Sequence, residues 1–253
     1  MTHFTYVFSL VAYTTLSFLY YVERDQTITL FGWIGLLLIS FLLKPMRGQT
    51  PLLLLIGLCF CFLSLLHKVS PWLQWPFDFY LTALFGFGLL RFGLRTPVEK
   101  LKWSFSFSRW ELVSILAINI PAIFILIWYY RSNPAVADLW PLPKLPLWSV
   151  PFVVLLIAAI NGLREEIFYR GLLQSASGKD SPAWFVIGLQ AILFGFVHFM
   201  NAFPQGWLGV FLTAIWGSAI ATQYRIFKSI SLSWVTHAMA DALMFGIIIY
   251  TKS

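Results

Sequence analysis

Long apolar runs, separated by short polar or proline-containing breaks, follow one another along the whole chain. A helix needs roughly 20 mostly apolar residues to cross a bilayer, so each run is predicted to be a membrane-spanning helix. The runs are residues 4–22, 28–43, 51–66, 77–94, 111–130, 148–174, 182–200, 206–223 and 229–249. The run at 77–94 fits least well, because Gly86, Gly88 and Gly93 lower its helix propensity. The pattern predicts an all-α, polytopic membrane protein with about eight or nine transmembrane helices.

The composition agrees with this pattern. Hydrophobic residues make up 59% of the chain and charged residues 11%, whereas about a quarter of the residues of a soluble domain are charged. The formal net charge of +7 is expected to come from basic loops that face the cytoplasm and anionic lipid. No basic and aromatic nucleic-acid-binding module is present, so the expected partner is the lipid bilayer and not a nucleic acid.

The basic residues also predict an orientation, because Lys and Arg collect in cytoplasmic loops. The loops after the second, fourth, sixth and eighth runs contain Lys44, Arg47, Arg91, Arg95, Lys100, Lys102, Arg109, Lys179, Arg225 and Lys228. The N-terminus is therefore expected in the cytoplasm and the C-terminus outside, and a bacterial inner membrane is the expected location. The first run lacks a basic n-region and a small-residue cleavage site, so it is predicted to be a permanent span.

Two stretches are predicted to be neither spans nor simple turns. Residues 97–110 mix Lys and Arg with Trp and Phe, which is typical of a segment at the cytoplasmic membrane interface. Residues 132–147 contain four prolines, so a regular helix is not expected there. That stretch is predicted to be a stiff connector, with a partly ordered outer lid as the alternative.

Ionisable side chains inside the runs are concentrated in the last four, and each is a functional hypothesis because charge is costly in a membrane. They are Arg164, Glu165, Glu166, Arg170, His198, His237 and Asp241. At 1.5 Å per residue, Glu165 lies about 15 Å and His198 roughly 24 Å from the cytoplasmic side. His237 and Asp241 lie roughly 12 and 18 Å in by the same arithmetic. With ordinary tilt, all four can face one polar cavity within a hydrocarbon core about 30 Å thick.

The spacing within each run indicates local pairs. Glu166 and Arg170 are four apart with the acid first, the favourable order for an ion pair, which is either purely structural or supports catalysis. His237 and Asp241 are also four apart, so the carboxylate could orient the imidazole. A carboxylate and two histidines could deprotonate water and stabilise an oxyanion. A lone membrane histidine is often only a hydrogen-bond donor between helices, but that reading would have to hold for several helices together.

Three motifs occur in order on successive predicted helices. They are Glu165-Glu166-Ile-Phe-Tyr-Arg170 (E-E-x-x-x-R), Phe194-Gly-Phe-Val-His198 (F-x-x-x-H) and His237-Ala-Met-Ala-Asp241 (H-x-x-x-N/D). Together they resemble the CAAX protease and bacteriocin-processing family, also called the Abi family, whose eukaryotic relatives are the type II CAAX prenyl endopeptidases. The resemblance covers about residues 148–249. The chain is therefore predicted to divide into N-terminal membrane helices without these motifs, 1–145, and a protease core, 146–253.

The resemblance implies a glutamate-type intramembrane endopeptidase. Carried over by motif, Glu165 would be the general base on water, His198 its partner, and His237 with Asp241 would face the scissile carbonyl. Glu166 and Arg170 would hold the site together. An Asn at the last motif position could donate to an oxyanion, but an ionised Asp cannot. Asp241 is therefore predicted to orient His237, and His237 to donate to the oxyanion.

The resemblance implies a metal-free site without a cofactor. Two histidines and a carboxylate are also a catalytic zinc set, so zinc is the alternative, although no H-E-x-x-H motif is present. Arg164 is expected to pair locally or to reach the membrane surface.

The predicted substrate is a membrane-anchored or lipidated protein or peptide, cut near its C-terminus or near the membrane. A non-catalytic scaffold or bacteriocin-immunity protein of the same fold is the alternative. A proton-coupled transporter would also use membrane Glu and His, but it would be expected to show repeated halves.

Overall fold

The computed structural model of the chain describes residues 3–23, 26–42, 50–69, 77–93, 101–134, 146–177, 181–199 and 203–250. Apart from one isolated β-bridge between Lys102 and Ser229, the regular structure of these residues is helical. The main helices are α1 (His3–Tyr21), α2 (Gln26–Leu42), α3 (Thr50–Val69), α4 (Phe77–Gly88), α5 (Arg109–Ser132), α6 (Val150–Glu166), α7 (Ala183–Val197), α8 (Gly206–Phe227) and α9 (Ile230–Tyr250). The all-α prediction is confirmed for this part of the chain.

The α-helical winding changes in two places. After α4 the chain continues as a π-helical segment, Leu89–Gly93, and after α6 as another, Ile167–Leu173. The second is followed by a short α-helical turn, Gln174–Ala176. Such π-helical winding is rare and frequently occurs at functional sites. Here it directly follows the two adjacent glutamates of the first motif.

Two of the described helices are long and apolar enough to cross a membrane, by length and composition alone. They are Arg109–Ser132 and Ile230–Ile248. Shorter apolar helices cover Thr27–Ser40, Leu54–Leu66 and Ala183–Val197. The predicted number of eight or nine crossings therefore stays a prediction.

Of the two long apolar helices, α5 is less covered by the described protein than α9 is. Its buried residues are Ile115, Asn119 and Tyr129, while large apolar side chains such as Phe124, 69% exposed, lie on its surface. Burial inside protein therefore cannot account for its apolar character, and contact with lipid can.

The chain divides into two compact units, and the division does not follow the motifs along the sequence. The first unit comprises Met1–Lys100 and Ile167–Ala221, and the second comprises Leu101–Glu166 and Thr222–Ser253. The boundary after Glu166 falls where α-helical winding changes to π-helical winding. The predicted division at residue 146 was based on motif content and stays a prediction.

The core of the first unit consists of aromatic and aliphatic side chains. Tyr13, Leu55 and Phe185 are completely buried there. Gly86, which weakened the prediction of the fourth span, has a packing role: a Cβ atom at this position would collide with the side chain of Leu172. The glycine therefore lets α4 lie directly against the π-helical segment that follows α6.

The second unit is built on the packing of α6 and α5 against α9. A Cβ atom at Gly162 of α6 would lie 3.2 Å from the backbone nitrogen of Ala238 of α9, so the two helices approach closely at this point. One turn before Ala238, the indole nitrogen of Trp234 donates a hydrogen bond of 2.9 Å to the carbonyl of Ala159. These contacts fix the face that each helix presents to the other.

In the predicted interface segment, residues 101–108 are not helical, and Arg109 and Trp110 already belong to α5. Residues 101–108 lie along the start of α9, where the N–H of Ile230 donates to the carbonyl of Lys102 at 3.1 Å. A capping box between Ser108 and Glu111 then starts α5. Whether the segment lies at the membrane interface stays a prediction. Most of the proline-rich stretch predicted to be a connector, residues 135–145, lies outside the described residues.

Candidate active site

Four polar side chains are buried on the C-terminal part of α6, in the second unit. The helix begins with an apolar stretch and then presents Asn161, Arg164, Glu165 and Glu166. Glu166 is completely buried, and the other three are at most 9% exposed. Charged groups this deeply buried require partners of opposite charge or hydrogen-bonding groups. In this unit, the partners come from α9 and from α6 itself.

The imidazole of His237 on α9 lies between the two adjacent carboxyl groups of α6. Its Nδ1 atom is 2.7 Å from Oε1 of Glu166, a hydrogen-bond distance. Its Nε2 atom is 3.6 Å from Oε2 of Glu165. Consecutive residues of a helix point about 100° apart, and the two nitrogens of one ring span that angle. Glu165 and Glu166 therefore share one partner, His237.

Asp241 extends the cluster by one turn of α9. Its Oδ2 atom lies 3.7 Å from Nε2 of His237, which is longer than a hydrogen bond. The same oxygen accepts a hydrogen bond of 2.9 Å from the side-chain amide of Asn161. The structure therefore gives His237 its short contact with Glu166, whereas the sequence analysis had assigned the orientation of the ring to Asp241.

Arg164 joins the two ends of the cluster. Its Nε atom donates to Oδ1 of Asn161 at 3.0 Å, and one of its terminal nitrogens lies 3.2 Å from Oε1 of Glu165. The expectation that Arg164 pairs locally is confirmed. One guanidinium and one imidazole thus face three carboxyl groups in a space that is nearly closed to solvent.

His198 lies in the first unit, at the C-terminal cap of α7. It is half-buried, and its ring centroid is 5.1 Å from that of Phe194. The F-x-x-x-H spacing therefore packs the aromatic residue of the motif against its histidine one turn later. The predicted partnership of His198 with Glu165 stays a prediction.

Arg170 also belongs to the first unit and is almost completely buried. A terminal nitrogen of its guanidinium donates to the carbonyl of Gly217 at 3.0 Å. The guanidinium carbon lies 5.7 Å from the centroid of Phe194 and 5.9 Å from that of Tyr169, within the range of cation–π contacts. The ion pair predicted between Arg170 and Glu166 stays a prediction.

Asn161 was absent from the predicted site, because that prediction rested on ionisable groups inside the apolar runs. A signal for this residue was present: it is an amide within the sixth apolar run and precedes Arg164 and Glu165 by three and four positions. That spacing places it on their side of the helix. As for a metal, no group of three or more His, Cys, Asp or Glu suited to holding one was found within the part of the chain that the structure describes.

Residues 146–243 match the model of the family described as type II CAAX prenyl endopeptidase, Rce1-like. This segment is thus similar to an Rce1-like domain. The match covers less than half of the chain, and α1–α5 lie outside it. No curated protein and no solved structure gave a match.

The Rce1-like domain includes all three motifs, so the resemblance that they indicated is confirmed. It also includes Asn161 and Arg164. At the level of the family, the match supports a membrane protein with a domain of the CAAX protease type.

Proposed function

We propose that the protein is an intramembrane endopeptidase in which Glu165 activates water. The observation that carries this proposal is the position of the Glu165 carboxyl group beside Nε2 of His237, with both side chains buried. A carboxylate and an imidazole so close together, in a space nearly closed to bulk water, are suited to moving a proton and stabilising an oxyanion. The match to the Rce1-like family supports proteolysis as the reaction.

In the proposed reaction, the carboxylate of Glu165 takes a proton from water while the oxygen of that water forms a bond to the scissile carbonyl carbon. The carbonyl oxygen becomes an oxyanion. When the C–N bond breaks, Glu165 returns the proton to the leaving nitrogen, and a free carboxylic acid and an amine result. His198 is proposed as the partner of Glu165, on the basis of its motif.

Glu166 is proposed to orient His237. A carboxylate only accepts hydrogen bonds, so the short contact at Nδ1 assigns a proton to that nitrogen. With both nitrogens protonated, the ring directs Nε2–H toward the side where Glu165 and Asp241 lie, and it can donate there to the oxyanion. This proposal moves the orienting role from Asp241 to Glu166.

The proposed substrate is a membrane-anchored or lipidated protein or peptide that is cut near its C-terminus or near the membrane. This choice rests on the family match and on the apolar helices that surround the motifs along the chain. The remaining apolar helices are proposed to cross the membrane as well, in a bacterial inner membrane with the N-terminus in the cytoplasm. The site is proposed to work without a metal.

The test uses membranes from cells that lack the gene as the substrate. Purified wild-type protein in liposomes is added, and new C-termini are identified by mass spectrometry. Glu165→Gln and His198→Ala should each lower the rate of product formation by about 10²-fold to 10⁴-fold, the range of a general acid–base contribution. Glu23→Gln and His3→Ala are the matched controls, since Glu23 is an exposed residue after α1 and His3 lies at its first position.

Two outcomes would contradict the proposal. If Glu165→Gln cleaves at the wild-type rate, Glu165 is not the base. If wild-type protein produces no new C-termini, proteolysis is rejected in favour of a non-catalytic scaffold. Loss of product with the control variants as well would mean that the assay reports membrane insertion and not chemistry.

A further inference from the structure

Asn161 lies between two charged side chains of the second unit, Asp241 and Arg164. Its amide nitrogen donates to Oδ2 of Asp241 at 2.9 Å, and its amide oxygen accepts from Nε of Arg164 at 3.0 Å. Arg164 in turn reaches Glu165. The side chain is thus bonded at both ends to groups that themselves contact the proposed reacting residues.

The chemistry of the partners fixes the orientation of this amide. A guanidinium nitrogen can only donate a hydrogen bond, so the amide atom facing Arg164 has to be the oxygen. An ionised carboxylate can only accept, so the atom facing Asp241 has to be the nitrogen. A flipped amide would place donor against donor and acceptor against acceptor. The amide is therefore held in one orientation by a charged group at each end.

We propose that Asn161 is a positioning residue that sets the carboxyl group of Asp241 beside Nε2 of His237. The inference rests on the proposed function, because it assigns Asn161 to the same reaction. Asp241 has no short bond to the imidazole, its Oδ2 atom being 3.7 Å from Nε2. Its hydrogen bond to Asn161 therefore determines where that oxygen lies. Without the amide, the carboxyl group can rotate away from the ring.

The proposal also accounts for how this chain uses an Asp at the last position of the H-x-x-x-N/D motif. A carboxylate there lacks the N–H donors that an Asn would bring to the site. Asn161 places an amide directly against that carboxylate from the neighbouring helix. The pair formed by Asn161 and Asp241 thus contains one amide and one carboxyl group.

The main test is the rate of cleavage under single-turnover conditions, with gene-deleted membranes as the substrate and new C-termini that depend on Glu165 as the signal. Asn161→Ala is expected to lower the rate reached at saturating enzyme by about tenfold to a hundredfold, because it misplaces a carboxyl group beside the imidazole that is proposed to donate to the oxyanion. A purely structural defect would change the amount of enzyme needed to reach this maximal rate, the plateau rate, and would leave the plateau rate itself unchanged.

Asn119→Ala is the matched control. Asn119 is a buried amide of α5 whose side chain donates a hydrogen bond to the carbonyl of Ile115 in its own helix. This variant should keep the wild-type plateau rate.

An exchange variant tests the direction of the hydrogen bond. Asn161→Asp keeps the shape of the side chain but places a carboxylate against Asp241, so it should be slower than wild type. In Asn161→Asp combined with Asp241→Asn, an amide again faces a carboxyl group, and the plateau rate should rise at least about tenfold above that of Asn161→Asp alone. An exchange variant no faster than Asn161→Asp would overturn the proposal, and so would an Asn161→Ala variant with the wild-type plateau rate.

Thermal unfolding needs no substrate, so it also tests the proposal in variants that fold poorly. Melting temperatures in detergent are determined for Asn161→Ala, Asp241→Ala and the double variant. Because the two side chains are bonded to each other, the double variant should lower the melting temperature by less than the two single variants do together. If the decreases in melting temperature are additive, the two side chains are not in contact. If the wild-type protein gives no product that depends on Glu165, the proposed function fails and this inference fails with it; product that depends on Glu165 but not on Asn161 rejects this inference alone.

Discussion

Glu166 is completely buried, and its hydrogen bond to His237 is the shortest contact described between α6 and α9 at the site. A buried carboxylate without a partner is costly, so its position depends on the imidazole. The different roles proposed for Glu165 and Glu166 follow from this geometry. Glu166 holds one nitrogen of the ring, and the other nitrogen is left facing Glu165 and Asp241.

We therefore expect Glu166→Ala to lower both stability and the rate of cleavage. Removing the acceptor takes away the short hydrogen bond at Nδ1 of the buried imidazole, which should lower the free energy of unfolding by about 1.5–3 kcal/mol. Glu166→Gln should be milder, because its amide oxygen can still accept from Nδ1–H. Melting temperatures in detergent and single-turnover rates check both variants. If both variants have the melting temperature and the cleavage rate of the wild type, the position of His237 does not depend on Glu166.

At the scale of elements, the close packing of α6 and α9 holds the site in place. Gly162 is adjacent to Ala238 on the facing helix, and the Cβ of His237 lies 3.4 Å from the place where a Cβ of residue 162 would be. A side chain on Gly162 would thus push on the backbone that carries the proposed catalytic imidazole. The glycine is needed for this approach of two helices and not for a special backbone conformation.

Substituting alanine at two glycines of the second unit separates this effect from helix propensity. Gly246→Ala in α9 should stabilise the protein by about 0.5–1 kcal/mol, since alanine favours the helix and nothing lies within 4 Å of the added methyl group. Gly162→Ala should give no such gain and should slow cleavage, because the added Cβ crowds Ala238. Thermal unfolding and cleavage rates of the two variants provide the comparison. A faster or more stable Gly162→Ala variant would argue against close packing at this point.

The apolar surface of α5 gives a prediction that distinguishes lipid from water. Phe124 lies in the middle of this helix and is 69% exposed. On a water-exposed surface, Phe124→Arg would be harmless; in the hydrocarbon core, an Arg costs about 2.5–3.5 kcal/mol for insertion. We expect Phe124→Arg to reduce the amount of protein in the membrane fraction, and Phe124→Leu to leave it unchanged. Equal amounts of the two variants in that fraction would mean that α5 does not face lipid.

At the scale of the whole molecule, the proposed metal-free mechanism is the property most open to direct test. The chain has no H-E-x-x-H motif, and the proposal assigns the activation of water to a carboxylate. Cleavage should therefore continue at the wild-type rate after dialysis against a strong zinc chelator. Metal analysis of the purified protein is the companion measurement. Stoichiometric zinc, with activity lost on chelation and restored by added metal, would refute the metal-free mechanism.

Much of this architecture was predictable from the sequence, because it depends on local properties. Apolar runs interrupted by polar and proline-containing breaks are sufficient to predict helices, and the described helices lie within or close to the predicted runs. Spacings of three and four residues place side chains on one face of a helix, so the set that contains Glu165, His237 and Asp241 could be chosen from the sequence. The order of the three motifs was enough to indicate the family that residues 146–243 match.

The pairing of atoms at the site was decided only by the tertiary structure. His237 and Glu166 are 71 positions apart, and Asn161 and Asp241 are 80 apart. Which of these groups meet depends on how α6 and α9 are rotated and shifted against each other, a relation set by packing at Gly162. Spacing along a single helix contains no information about that rotation. For this reason the sequence placed Asp241 next to His237 but could not predict that Glu166 would hold the ring or that Asn161 would hold Asp241.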